Sequence, residues 1–245
     1  MFSKISNYVD FKSINTSVKY LSLAAFFTGL GLGYFFTIIV IIAKYRGFSE
    51  GAIGLVVACF SFGLMSAGFI VSKVLDRIGL YKTMLLAITI QTVCVILMFV
   101  LFNPINLVIN HFIMGVLGGI NWMTMDTWVN VVSVNKTRGK AIGFYNSAIT
   151  IGFAIGPLLV GLFGAQGLVP IMLAITLMVI RSPVIIFIKQ HVQSVRIPKI
   201  ETKLNFSFIK ISPFIFLAIF VGGVNDSTFS ALFPAYMINE FFSDK

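Results

Sequence analysis

Long apolar runs alternate with short charged segments along the 245 residues of this chain. A helix needs about 20 apolar residues to cross the hydrocarbon core of a bilayer, and several of these runs reach that length. Segment 73–82 is predicted to be a short charged loop at a membrane surface, where Gly79 allows the chain to reverse tightly. The whole pattern predicts seven membrane-spanning helices, at roughly 20–43, 51–72, 83–102, 105–132, 141–164, 167–188 and 211–238.

The composition places the chain in a bilayer rather than in water. Apolar residues make up 58 % of the chain, charged residues 11 %, and the mean hydropathy is +0.99. A soluble domain carries roughly 25 % charged residues. The net charge of +10 does not indicate nucleic-acid binding, because the basic residues are spread among the segments between spans rather than over one face. We therefore expect an all-α membrane protein whose partner is the lipid bilayer.

Catalytic and metal chemistry find no support in the sequence. The two cysteines, Cys59 and Cys94, lie within predicted spans with no His or second Cys nearby, which predicts neither a metal site nor a disulfide. The two histidines show no nucleophile–base or metal-ligand spacing. We expect no enzyme activity, no cofactor, no metal and no nucleic-acid partner.

Basic residues are concentrated in every second segment between the predicted spans. With a cytoplasmic N-terminus, segments 1–19, 73–82, 133–140 and 189–210 lie inside the cell. Fifteen of the 18 Lys and Arg residues are then inside and three outside, with Arg181 assigned to the inner end of the sixth span. This bias predicts a multi-pass protein of the cell (inner) membrane with its N-terminus in the cytoplasm. Residues 1–19 are expected to form either an amphipathic helix on an anionic leaflet or a disordered tail.

A weak internal repeat relates the first predicted span to the seventh. Sliding one onto the other pairs Phe48-Ser49-Glu50 with Phe242-Ser243-Asp244, and Gly29 with Gly223. Internal repeats of this kind are typical of transporters. A second copy of the six-span unit is expected to begin at the seventh span, and the chain is interpreted as truncated. The predicted organisation is a cytoplasmic N-terminal segment 1–19, a six-helix transmembrane half 20–188, a basic cytoplasmic linker 189–210 and the first helix of an incomplete second half, 211–245.

Four motifs, in order along the predicted spans, carry a resemblance to a known family. They are Ser72-x-x-x-Asp76-Arg77-x-Gly79-x-x-Lys82, His111-x-x-x-Gly115-x-x-Gly118-Gly119, Asp126-Thr127-Trp128-Val129-Asn130 followed by Arg138-Gly139-Lys140, and Gly152-x-x-x-Gly156-Pro157-x-x-x-Gly161. Together they resemble the motifs of the major facilitator superfamily, and the third looks like the signature of its YcaD-like branch. The chain departs from the family pattern at Ser72, where Gly is typical, at Leu80, where a basic residue is typical, and at His111, where Arg is typical.

The resemblance implies two six-helix halves around a central cavity. It implies a secondary transporter that moves a small-molecule substrate by alternating access, coupled to an ion gradient, with protons as the coupling ion. The second half is expected to be encoded separately or missing, so the alternative is a non-functional remnant or a split-gene fragment. The cytoplasmic hinge motif Asp76, Arg77, Gly79 and Lys82 is expected to latch the two halves together.

Polar side chains inside the predicted spans are the candidates for substrate or proton binding. A carboxylate within a span costs several kcal/mol and usually faces a cavity or a partner. The candidate residues are Asp126, Asp226, His111, Asn121, Trp122 and Asn225. His111, Gly115, Gly118, Trp122 and Asp126 follow each other by three or four residues and are expected to form a loose stripe on one helix face. The alternatives are an ion pair between Asp126 and Arg138, an interfacial His111, and helix packing for Asn121 and Trp122.

The glycine–proline motif of the fifth span is predicted to act in helix packing. Gly152, Gly156 and Gly161 have the small-residue spacing that lets helices approach closely in lipid. Pro157 lacks a backbone donor and is expected to kink the helix.

Overall fold

The computed structural model describes residues 14–192 and, beyond them, only Pro213, Phe214, Leu217 and Val221. Within these residues the chain is helical, with no strand. Seven helices follow one another: α1 Thr16–Tyr45, α2 Glu50–Ala67, α3 Val71–Val100, α4 Pro104–Val132, α5 Arg138–Phe163, α6 Val169–Val179 and α7 Arg181–Ile188, with a 3-10 turn at Asn135–Thr137 before α5. The predicted all-α class is confirmed.

Six segments of the described chain are long and apolar enough to cross a membrane. They are α1 to α5, each alone or with its flanking turn, and the 20-residue segment Val169–Ile188 that α6 and α7 form together. α6 ends at Val179 because Pro183 has no N–H to donate to the Val179 carbonyl, and its ring crowds that carbonyl. The predicted seventh span, 211–238, lies outside the described residues apart from the four named above.

Polar caps fix the starts of three helices. The Asn15 side chain accepts a hydrogen bond from the Ser17 N–H at 2.9 Å and donates one to the Val132 carbonyl at 2.9 Å. It thereby ties the start of α1 to the end of α4, and α1 begins four residues earlier than the apolar pattern predicts. Ser49 caps α2 and Asn103 caps α4 in the same way.

Segment 73–82 is helical rather than a loop, which corrects the sequence-based prediction. α3 begins at Val71 and is interrupted only at Gly79, where φ is 76° and ψ is 169°. Apolar residues recur with helical spacing before this break, and the chain buries Leu75 while exposing Lys73 and Arg77. A short amphipathic helix therefore precedes the membrane-spanning part of α3, and Gly79 forms a kink between the two helical segments.

Close approaches at glycines hold the helices together in pairs. A Cβ at Gly29 or Gly33 of α1 would collide with the α5 backbone, and a Cβ at Gly152 or Gly156 of α5 would collide with the α1 backbone. Gly63, Gly115 and Gly119 make the equivalent approach between α2 and α4. Small residues are needed there because lipid gives helices no hydrophobic drive to associate, so packing decides the interface.

Gly161 and Pro157 take no part in this contact. Gly161 has no atom within 4 Å of a Cβ built on it, and Pro157 is exposed. α5 continues through Pro157 to Phe163.

The interior of the bundle consists of two apolar cores separated by a polar layer. The near core, at the end where α1 begins, includes Leu21, Met84, Met125 and Ile185. The far core, at the end where α1 finishes, includes Phe35, Met98, Met114 and Met178. Between the two cores, on α1, α3, α4 and α7, lie buried polar side chains, which we call the polar layer: Thr28, Gln91, Thr92, Asn121, Thr124 and Arg181.

Arg181 therefore lies at mid-depth of the bundle, and its assignment to the inner end of the sixth span is wrong. Its side chain is 1 % exposed. Fourteen of the 18 Lys and Arg residues remain in the segments counted as cytoplasmic, so the charge bias is little changed.

Candidate functional site

Asp126 is the only acidic residue that the described chain carries within a membrane-spanning segment away from its ends. It lies six residues, about 9 Å, from the end of α4 and is half-buried. The hydroxyl of Tyr145, a buried residue of α5, faces its carboxylate without reaching standard hydrogen-bond geometry. That hydroxyl has no other partner within the described residues. The site is thus a carboxylate and a phenol that face each other across α4 and α5.

No basic residue neutralises Asp126 in the described part of the chain. Arg138, the alternative partner considered from the sequence, is exposed at the start of α5 and forms no ion pair with it. Asn130, one turn later on α4, donates a hydrogen bond of 2.9 Å to the backbone carbonyl of Asp126 and leaves the carboxylate free of that contact. A carboxylate without a cation beside it is suited to taking up and releasing a proton.

His111 lies inside the bundle rather than on the face that carries Asp126. Its ring is fully buried at 5.7 Å from the ring of Phe35, centroid to centroid. Its Nδ1 is 2.9 Å from the Leu107 carbonyl, which assigns the proton to Nδ1 as the donor, and its Nε2 has no partner among the described residues. His111 and Asp126 are fifteen residues apart, a rotation of about 60° on a 3.6-residue helix, in addition to the distance along the axis.

The remaining candidates on α4 divide between the interior and the surface. Asn121 is buried, and its amide donates only to the Met125 sulfur at 3.8 Å while its Oδ1 is unpartnered in the described structure. Trp122 is 47 % exposed. The expected single stripe is therefore split: Gly115 and Gly118 pack inward, while Trp122 and Asp126 face outward or partly outward. Asp226 and Asn225 lie outside the described residues.

The hinge motif presents its charges to the surroundings. Asp76, Arg77 and Lys82 are exposed on either side of Gly79. Beyond the motif, the Lys189 ammonium lies 4.8 Å from the centre of the Tyr81 ring, so the end of α7 is in contact with the same region.

A second polar site, which the sequence reasoning missed, surrounds Arg181. Its guanidinium donates to Gln91 Oε1 at 2.9 Å and contacts the Met178 sulfur at 3.0 Å. Gln91 on α3 is fully buried and donates in turn to the Met114 carbonyl of α4 at 3.2 Å. The available signal was a Gln and an Arg inside two apolar runs. Counting Arg181 as a terminal charge concealed it.

Two cavities of the described structure lie away from both sites. One cavity is lined by apolar residues of the far core, including Val40 and Leu107, and another by residues near Tyr45 and Gln166. Neither lining includes Asp126 or Arg181. Across the described residues no group of three or more His, Cys, Asp and Glu side chains is placed to hold a metal ion.

Comparison with known proteins identifies relatives of the chain. The family model described as Major Facilitator Superfamily matches residues 21–243. Multidrug resistance protein 1 of Bacillus subtilis is 28 % identical over 147 residues, which are 58 % of this chain and 37 % of that protein. An uncharacterized MFS-type transporter of Methanocaldococcus jannaschii is 23 % identical over 207 residues, 80 % of this chain and 53 % of the relative. The chain thus spans about half the length, or less, of these two curated relatives.

Proposed function

Because the chain belongs to the Major Facilitator Superfamily, we propose that it acts in a secondary transporter that moves a small molecule across the membrane by alternating access. The observation that carries this function is the family match over residues 21–243, which includes five of the six described spans and most of the first. The close glycine contacts between α1 and α5, and between α2 and α4, support it, since they build rigid helix pairs that can move as units.

The opposite wall of the transport cavity is proposed to be a second six-helix half, either in the same polypeptide or encoded separately. The described helices leave the face of α4 that carries Asp126 partly exposed, as a surface lining a shared cavity would be. We place the protein in the inner membrane with a cytoplasmic N-terminus, on the strength of the charge bias. The Asp126-Thr127-Trp128 signature supports membership of the YcaD-like branch.

Asp126 is proposed to be the proton-binding group that couples transport to the proton gradient. Its carboxylate is half-buried within a span, faces the Tyr145 hydroxyl and has no cationic partner in the described structure. Partial burial and the absence of a cation let the carboxyl exist in either its neutral or its charged form. The Tyr145 hydroxyl can stabilise the charged form when the site is open. Proton uptake and release at Asp126 would then bias the two conformations of the transporter.

The substrate is best sought by measuring flux, with drugs included among the compounds because one relative is named a multidrug resistance protein. Cells that express the full chain would be compared with vector controls for uptake and export of a panel of fluorescent and radiolabelled solutes. Transport predicts at least one solute whose flux differs between the two. If no solute's flux differs, with or without a co-expressed second half, the transport function is contradicted.

The solute found in this way would then test the role of Asp126. Asp126→Asn is expected to reduce gradient-driven flux by at least about tenfold. Exchange of solute across the membrane, measured with no gradient, should be unaffected, because exchange needs no proton release. Glu50→Gln is the matched control, since Glu50 is a carboxylate at the exposed end of α2 that pairs with Lys44 at 3.1 Å. Loss of both exchange and driven flux in Asp126→Asn, or loss of neither, would argue against coupling at this residue.

A further inference from the structure

Arg181 is a buried positive charge that no carboxylate neutralises in the described part of the chain. Of its five N–H donors, one meets an amide oxygen and one a thioether, and its Nε has no partner there. A guanidinium taken out of water is stable only when it is paired and its donors are satisfied. One amide oxygen and one sulfur atom do not meet that requirement.

Each acidic residue that the structure describes is engaged or placed elsewhere. Glu50 pairs with Lys44 at the end of α2, Asp76 is exposed in the short helix before Gly79, and Asp126 faces Tyr145. None of them approaches Arg181. The missing negative charge must therefore come from something other than these side chains.

The surroundings hold the guanidinium in place instead of letting it extend to a membrane surface. Gln91 Oε1 accepts a hydrogen bond from the Arg181 guanidinium, and Gln91 Nε2 donates one to the Met114 carbonyl. Gly31 of α1 leaves the space that the Arg181 side chain fills, since a Cβ there would lie 3.3 Å from Arg181 Cδ. Gly118 of α4 likewise leaves space for Gln91, since a Cβ built on Gly118 would lie 3.2 Å from Gln91 Nε2. Residues of α1, α3, α4 and α6 thus hold the guanidinium of Arg181 within the polar layer.

We propose that Arg181, oriented by Gln91, is the binding group for a small anion in the polar layer. A guanidinium presents paired N–H donors that match a carboxylate or another small anion, and it stays charged in protein interiors. The anion is either a free inorganic ion or the carboxylate of a transported solute. The second source rests on the proposed transport function, whereas the binding site itself does not.

The break between α6 and α7 provides the movement that admits the anion. Arg181 is closed off in this conformation, so binding takes place when α7 moves away from α3. Pro183 removes the backbone hydrogen bond that would join the two helices beside Arg181, and a missing bond of this kind makes a hinge.

Thermal unfolding of the purified full chain in detergent tests the site without any transport. A thiol-reactive fluorescent dye reports unfolding, because Cys94 is buried in α3 three residues from Gln91. Chloride, nitrate and acetate would each replace gluconate at constant ionic strength. At saturation, binding is expected to raise the Tm of the native chain by about 2–4 °C. The shift should vanish in Arg181→Gln and persist in Arg46→Gln, a control at an exposed arginine.

Gln91→Glu provides the decisive variant, because it puts a carboxylate of nearly the same shape beside the guanidinium. It is expected to raise the Tm in gluconate and to abolish the response to added anions. Stabilisation by chloride and nitrate alone assigns the site to an inorganic ion, while stabilisation by acetate and by carboxylate solutes assigns it to a substrate group. A native Tm that no anion changes, or equal shifts in the native chain and Arg181→Gln, would overturn the site and leave the transport function untouched.

Discussion

Asp126 and Arg181 are both ionisable residues inside spans, and they differ in their surroundings. Asp126 is half-buried and faces a phenol at the side of the bundle, whereas Arg181 is fully enclosed among four helices. The partly exposed carboxyl is the group that we propose takes up and releases a proton. The enclosed guanidinium keeps its charge, and for this reason we propose that it binds an anion. Residue type limits each proposed role, because a carboxyl can take up and release a proton whereas a guanidinium stays charged, and exposure decides how readily each group is reached.

At the same scale, two glycines of one sequence motif differ in what surrounds them. Gly156→Ala is expected to lower the free energy of unfolding by about 1–3 kcal/mol, because its Cβ would overlap the backbone of Gly33 and Tyr34. Gly161→Ala meets no atom within 4 Å and should be neutral or stabilising by up to about 1 kcal/mol. Thermal unfolding of the two variants checks this. Equal destabilisation would show that α1 and α5 do not pack through Gly156.

Among the elements, α3 combines a surface helix and a membrane span in one continuous segment. Its first eight residues, Val71–Ile78, bury Leu75 and expose Lys73 and Arg77, and the span begins only after Gly79. The sequence pattern predicted a loop because four charges in ten residues interrupt the apolar run. The apolar residues that remain in this segment recur with a helical period, and that period indicates a helix.

The break at Gly79 depends on backbone conformation alone. No atom lies within 4 Å of a Cβ built at Gly79, but its φ of 76° is strained for any residue with a side chain. Gly79→Ala is therefore expected to destabilise the protein by about 1 kcal/mol or more. Gly143→Ala, which also meets open space but lies within α5, should be neutral or stabilising. A Tm for Gly79→Ala at or above that of Gly143→Ala would show that this break in α3 does not require glycine.

For the whole molecule, the six described spans form one bundle whose two ends carry different charge. Lys and Arg residues are abundant at the end where α1 begins and scarce at the other end. The arrangement follows the positive-inside bias and sets the orientation that we propose. The truncation inferred from the repeat stays a prediction, as does the role of the predicted seventh span.

Labelling of single cysteines measures this orientation directly. In a chain with Cys59→Ser and Cys94→Ala, a membrane-impermeant maleimide added to intact cells is expected to label Tyr45→Cys but not Ile78→Cys. Both positions are exposed, Tyr45 by 52 % and Ile78 by 36 %, and neither change alters a charge. Ile78→Cys should be labelled only after the membrane is permeabilised. The reverse pattern would place the N-terminus outside.

The sequence by itself determined the all-α class, the approximate position of six spans and the family motifs. These features are local, because span length and charged breaks follow from the free energy of moving residues into lipid. The tertiary structure decided which side chains meet. It placed Tyr145 opposite Asp126, enclosed His111 beside Phe35, and joined Arg181 to Gln91 across 90 residues of sequence. Such contacts depend on the rotation and neighbours of each helix, and glycine approaches between distant segments fix both.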